Sequence, residues 1–205
     1  GFTGSVTFST TGSHTAYARC VDGDENYSSG ATSTISVSKG TVTTDPGIVL
    51  STGALIKPMC QNYEPKVGTC HSVYYFGADG MAHAFPTEAE YRSWYGSSFS
   101  AVKEIETWQF NRLAIGEDVT MRPGTSLVKF MGSSTVYAVA KGGVLRPIVN
   151  EAVAKAIYGS RWTTYIVELP GSVKNNYNDG EKIDSTSDYS KSQAYYSVNS
   201  IDDNF

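Results

Sequence analysis

Residues 73–97 read VYYFGADGMAHAFPTEAEYRSWYGS, and residues 136–160 read VYAVAKGGVLRPIVNEAVAKAIYGS. A shift of 63 positions lays Val73 and Tyr74 on Val136 and Tyr137, Gly80 on Gly143, Phe85 on Ile148 and Glu88 on Glu151. It also lays Tyr95, Gly96 and Ser97 on Tyr158, Gly159 and Ser160, and a shift of 64 lays Gly116 and Glu117 on Gly180 and Glu181. The coincident positions are turn glycines, apolar residues and aromatics, which are what a fold needs. No nucleophile, base or ligand cluster recurs among them. The sequence therefore reads as a duplicated scaffold.

Each copy is expected to hold a leading strand (54–57; 126–130), a β-hairpin and a short helix. Gly80 and Gly143 supply the positive φ of tight hairpin turns. Thr87 with Glu90 has the Ser/Thr-x-x-Glu spacing of a capping box, and Asn150 is a good N-cap. Gly96 and Gly159 mark the helix ends. The spacing of Tyr91, Trp94 and Tyr95, and of Val153, Ala154, Ile157 and Tyr158, turns one stripe of each helix toward its hairpin. Residues 55–57 match 127–129 at a shift of 72, so the first copy carries nine extra residues, the difference from 63. They fall in the stretch holding Cys60 and Cys70, whose loop CQNYEPKVGTC contains Pro and Gly suited to closure. A Cys60–Cys70 disulfide is expected, contributing about 2–3 kcal/mol by loop entropy.

Residues 1–38 read as about three strands, with apolar positions at Val6 and Phe8, at Tyr17, Ala18 and Cys20, and at Ile35 and Val37. The string TGSHTAYARCVDGDENYSSGATSTISV resembles the closing half of a bacterial immunoglobulin-like domain. A sandwich of that kind needs about seven strands, so the resemblance implies completion from outside the segment, and a mate for Cys20 in the absent strands. Residues 39–52 are expected to be a linker. Residues 53–123 and 124–183 are the two copies, and 184–205 form a Ser/Tyr/Asp-rich tail. Its composition predicts mobility, with one strand over Gln193, Ala194, Tyr195, Tyr196, Ser197 and Val198 that is a candidate strand donor to a neighbouring copy. The expected class is mainly β with short helices (α+β): a partial immunoglobulin-like sandwich plus two hairpin-helix repeats.

The pattern over 124–183, with Leu127-Val128-Lys129, Val136-Tyr137, Arg146, Trp162, Leu169-Pro170 and Gly180, resembles a repeat of secreted and surface-anchored proteins from candidate-phyla and Gram-positive bacteria. There it stands beside immunoglobulin-like modules. The first copy has His83 where the second has Arg146. The resemblance implies an extracellular location and an architecture, and it transfers no catalytic residue or ligand.

A net charge of −4 without a Lys/Arg cluster argues against nucleic acid, and no apolar run approaches the ~20 residues of a membrane span. The opening GFTGSVTFSTTG lacks the basic start and apolar core of a signal peptide, so its first residue reads as a cut point or an unresolved boundary. Cysteine usage favours an oxidising, extracellular setting.

His14, His71 and His83 show no HxxxH, HxH or CxxC spacing, and GxSxG, Walker and GxGxxG motifs are absent from the sequence. A site combining His71 and His83 with Asp79 or Glu88 is the third-ranked reading, a hydrolase accessory domain. Asp22, Asp24 and Asn26 alternate like the first half of a calcium loop but lack its closing glutamate, and Asn26-Tyr27-Ser28 is a glycosylation sequon. Aromatics at repeated positions, Tyr74 with Tyr137 and Phe99 with Trp162, read as core. The unpaired Tyr75 and Trp108 read as candidate sugar or protein contacts. The expectation is a chain without catalytic residues, metal or cofactor. It would be an extracellular structural subunit assembling head to tail with copies of itself through strand donation. The alternative is a carbohydrate or cell-wall binding module of a larger surface protein.

Overall fold

The computed structural model describes residues 12–18, 31–37, 41–44, 48–60 and 69–205. The chain divides into two units, Gly1–Thr52 and Gly53–Phe205. In the first, β1 (Gly12–Ala18) pairs antiparallel with β2 (Ala31–Val37), with Gly12 opposite Val37 and Ala18 opposite Ala31. β3 (Thr41–Thr44) pairs with β4 (Ile48–Ser51) in a second hairpin. The segment expected to be a plain linker thus forms strands, because its Thr-Val-Thr-Thr and Ile-Val-Leu runs have strong β propensity. Val6, Phe8, Cys20, Asp22, Asp24 and Asn26 lie outside the described residues.

The second unit runs β5 (Leu55–Pro58), β6 (Tyr74–Phe76), β7 (Met81–Ala84), α1 (Glu88–Tyr95), β8 (Val102–Ile105), α2 (Thr107–Phe110) and β9 (Ala114–Ile115). It continues with β10 (Leu127–Phe130), β11 (Val136–Ala140), β12 (Val144–Pro147), α3 (Glu151–Tyr158), β13 (Ile166–Leu169), β14 (Asn178–Asp179) and α4 (Lys191–Tyr196). These strands build two five-stranded sheets, ordered β8-β5-β6-β7-β9 and β13-β10-β11-β12-β14. In both, the hairpin and leading strand are antiparallel neighbours and the two outer strands join in parallel. A parallel neighbour requires a crossover, and the helices α1 and α3 lie in those connections.

Side chains dictate the local geometry. Thr87 Oγ1 accepts the Ala89 N–H and Asn150 Oδ1 accepts the Val153 N–H, which caps α1 and α3. Both helices stop at glycines of positive φ, Gly96 and Gly159, whose N–H groups return to the Arg92 and Lys155 carbonyls. Lys57 reaches Glu104 and Lys129 reaches Glu168, each at 3.3 Å across the parallel outer pair.

The closing strands β9 and β14 are two residues long, and their hold on the sheet is extended by the chain that follows. The Gly116 and Val119 N–H groups donate to the Ala82 and Ala84 carbonyls, and those of Gly180 and Ile183 to Leu145 and Pro147. A hairpin side chain then clamps each return. His83 Nδ1 lies 2.7 Å from the Glu117 carbonyl, and Arg146 Nε donates to the Glu181 carbonyl at 2.9 Å. The preceding glycine makes room: a methyl on Gly116 would fall 2.4 Å from His83 Cε1, and one on Gly180 would fall 2.4 Å from Val144 Cγ1 and 3.3 Å from Arg146 Cγ.

The tail differs from the expected mobile strand donor. Gln193–Val198 does not form a strand, since Lys191–Tyr196 is helix α4, started by Ser190, whose hydroxyl accepts the Gln193 N–H. Capping and packing outweigh the β propensity of Tyr195-Tyr196: the Arg122 guanidinium lies 4.0 Å over the Tyr195 ring, and Gly124 has no Cβ to keep its backbone from α4. The Asp and Ser residues serve as turn builders. Asp188 Oδ2 accepts the N–H groups of Asp184 and Ser185, and Asp203 Oδ2 those of Asn199 and Ser200. Tyr189 and Ile201 are buried, Tyr189 in a cluster with Leu127 and Ala138 and Ile201 in one with Leu55 and Tyr75.

Gly116→Ala and Gly180→Ala each lower stability by about 1–3 kcal/mol through overpacking, read as a lower urea midpoint. Gly171→Ala, whose new methyl meets only the Met131 carbonyl at 3.5 Å, is nearly neutral. Equal midpoints for all three variants would contradict the clamp.

Candidate functional site

Cys60 and Cys70 form a disulfide with Cα atoms 5.0 Å apart, as the insertion predicts. His71 lies beside it, both ring nitrogens 3.9 Å from Cys60 Sγ. Cys60, Cys70 and His71 are a potential metal-ligand trio, but metal binding uses thiolates, which a disulfide does not offer.

His83 is 3% exposed, with Nδ1 on the Glu117 carbonyl and Nε2 3.2 Å from Asp79 Oδ1. A carbonyl only accepts, so Nδ1 carries a proton. The Phe205 ring stacks on the imidazole at 4.1 Å. Both nitrogens face oxygens and one ring face is covered, so the group works as a clamp. Glu88, the other carboxylate considered for this site, pairs instead with Arg92 within α1. Around the clamp, Met81, Ile115 and Phe205 border a depression of about 510 Å³.

Tyr75 does not present its ring to a ligand. It is 3% exposed, packs with Leu55 and Phe85, and donates its hydroxyl to Asp202 at 2.5 Å. Burial pushes its phenol far up, and the Asp202 carboxylate adds to this. The reading of an unpaired position as an exposed one fails here because the tail supplies a cover that has no counterpart in the repeat pattern. Trp108 is 52% exposed, with the Arg112 guanidinium 5.1 Å from its ring centroid. The Asp22, Asp24 and Asn26 calcium candidates lie outside the described residues, and Gln193–Val198 belongs largely to α4.

Two features were missed by sequence reasoning. The first is a buried polar link between the sheets. Glu90 on α1 is fully buried, receives the Thr87 hydroxyl on Oε2 and accepts the Tyr177 hydroxyl on Oε1 at 3.1 Å. The Tyr177 oxygen in turn accepts the Met121 N–H at 3.1 Å. Burial raises the Glu90 carboxyl above its ordinary value, opposed by the Thr87 and Tyr177 hydroxyls, and burial beside Glu90 drives the Tyr177 phenol well up. The second is a cavity of about 340 Å³ between the second hairpin and α3, bordered by Ser134, Ile148, Asn150, Glu151, Ala154 and Trp162. Its only sequence signal is that the shift of 63 lays Tyr91 on Ala154.

No protein-family model, curated protein or solved structure matches this chain at a significant level.

A carboxyl raised by folding makes the folded state hold its proton more tightly than the unfolded state does. The associated stability is complete below the unfolded value near 4.5 and is lost as pH rises through the folded value. Wild type therefore gains on Glu90→Gln as pH falls from neutrality toward about 4.5, a trend read from paired urea titrations at several pH values. A stability difference that is flat with pH would contradict the buried carboxylate's role.

Proposed function

We propose that this chain is a non-catalytic structural module of an extracellular bacterial surface protein, built on an internal duplication. The observation that carries the reading is the matched use of side chains in the two sheets. His83 and Arg146, at equivalent positions, both hold the carbonyl of the glutamate that follows a space-making glycine. Thr87 and Asn150 both cap a helix, and Lys57–Glu104 and Lys129–Glu168 both tie a leading strand to its parallel neighbour. What recurs serves architecture. The Cys60–Cys70 disulfide, closing the insertion of the first copy, suits an oxidising compartment.

The strand-donation form of assembly is not retained, because the donor segment is helical and its neighbours Tyr189 and Ile201 are buried within their own chain. The module joins the rest of a surface protein or assembly through the unit Gly1–Thr52, whose residues 1–38 resemble in sequence half of an immunoglobulin-like domain.

Antibody labelling of intact source cells, with and without lysis, tests the location. Labelling before lysis is expected, together with a Cys60–Cys70 peptide that stays oxidised when the cells are alkylated before extraction. Labelling only after lysis, or free thiols at both positions, would overturn the reading. In the purified chain, reduction of this disulfide costs about 2–3 kcal/mol, seen as a lower unfolding midpoint.

A further inference from the structure

The duplication provides an internal comparison. In the first copy Tyr91 is 1% exposed, and its ring lies parallel to Phe99 with centroids 4.3 Å apart and planes 7° apart. Phe85 meets the same ring edge-on at 5.3 Å, and the Tyr91 hydroxyl donates to the Ser98 carbonyl. At a shift of 63 these three rings become Ala154, Trp162 and Ile148. All three border the cavity of about 340 Å³. The second copy therefore keeps an aromatic platform and an apolar wall but replaces the ring between them with a methyl group. The volume falls at the lower end of the ~300–1,000 Å³ of small-molecule pockets.

The remaining walls specify the occupant. The Lys155 ammonium, 2.8 Å from Glu151 Oε1, holds the Glu151 carboxyl below its ordinary value, so it is an ionised acceptor. Asn150 Oδ1 is taken by the Val153 N–H, which leaves its amide NH₂ as a donor, and Ser134 adds a hydroxyl. A pyranose ring matches this set: its C–H face lies on the negative face of an indole, while its hydroxyls donate to Glu151 and accept from Asn150. A plain aromatic ring fills the volume but makes no use of those polar groups, which stay exposed to water.

We propose that the cavity between the second hairpin and α3 binds one pyranose ring of a saccharide, seated on Trp162 where the first copy carries its own Tyr91 ring. The site is independent of the scaffold reading, which places the chain on the cell surface without requiring any ligand.

The test is an NMR titration of the full chain with the methyl glycosides of glucose, galactose and N-acetylglucosamine, and with phenol as the aromatic comparison. The Trp162 indole N–H signal is assigned by its loss in Trp162→Phe. A saturable shift of that signal by at least one sugar is expected, with a Kd on the order of 1 mM for a single ring. Ala154→Tyr, which installs the first copy's ring, is expected to weaken binding by about tenfold or more without lowering the melting temperature. Glu151→Gln, at an exposed position, weakens binding several-fold and keeps the test sharp if Ala154→Tyr fails to fold. Absence of a sugar-induced shift at Trp162, binding by phenol alone, or sugar binding unaffected by Ala154→Tyr or by Glu151→Gln would each overturn the proposal.

Discussion

A strand of two residues cannot hold itself to a sheet, and each five-stranded sheet ends in one. The ladder bonds of β9 and β14 are few, each bond contributes only about 1 kcal/mol net, and fixing each residue's backbone costs about as much. A side-chain donor from the hairpin strand must therefore seize the carbonyl just past the short strand. Imidazole and guanidinium both do so, which is why His83 and Arg146 are interchangeable there while the glycine before each glutamate is not. The tail completes both clamps: Arg146 also donates to the Asp188 carbonyl at 2.6 Å, and Phe205 covers His83.

The same tail helps to join the two sheets. Asn204, buried, accepts the Gly142 N–H of the second hairpin and donates to Thr120 Oγ1 after the first sheet. Trp94 on α1 donates to the Thr120 carbonyl, and Asn176 donates to Asp118. With the Glu90–Tyr177–Met121 chain, these bonds make the junction unusually polar for a buried seam. Two sheets of the same strand order expose similar apolar faces, so packing alone discriminates weakly between registers. Directional bonds that leave a buried charge unpartnered in the wrong register discriminate strongly.

What was legible in the sequence was local. Hairpin glycines, N-caps, helix stops and the cysteine insertion act over a few residues, and each falls where the spacing places it. Sheet order was not legible, because the parallel partners are short strands chosen by crossover geometry. The tail was misread because Asp and Ser that build turns have the composition of disorder, and among its apolar residues only Tyr189, Val198 and Ile201 are buried. The aromatics were legible only in part. Tyr75, facing Ala138 in the repeat register, looked spare and is buried, and of the Phe99–Trp162 pair read as core, Trp162 packs partly buried against a core cluster while Phe99 is 41% exposed. Each position's fate was set by its neighbour's partner, which no single matched pair reveals.

The second copy loses two tyrosine rings relative to the first, at Ala138 and Ala154, and handles them differently. Around Ala138 the deficit is repaired: Tyr158 is 7% exposed where its counterpart Tyr95 is 38% exposed, and Tyr189 joins it in one cluster with Ala138. Around Ala154 a recess remains. The recess opens to solvent, with Ser134, Asn150 and Glu151 exposed on its walls, so water reaches those polar groups. An incoming molecule must replace those water contacts as well as cover the indole. Rings that carry hydroxyls around an apolar face meet both demands, and rings without them meet one.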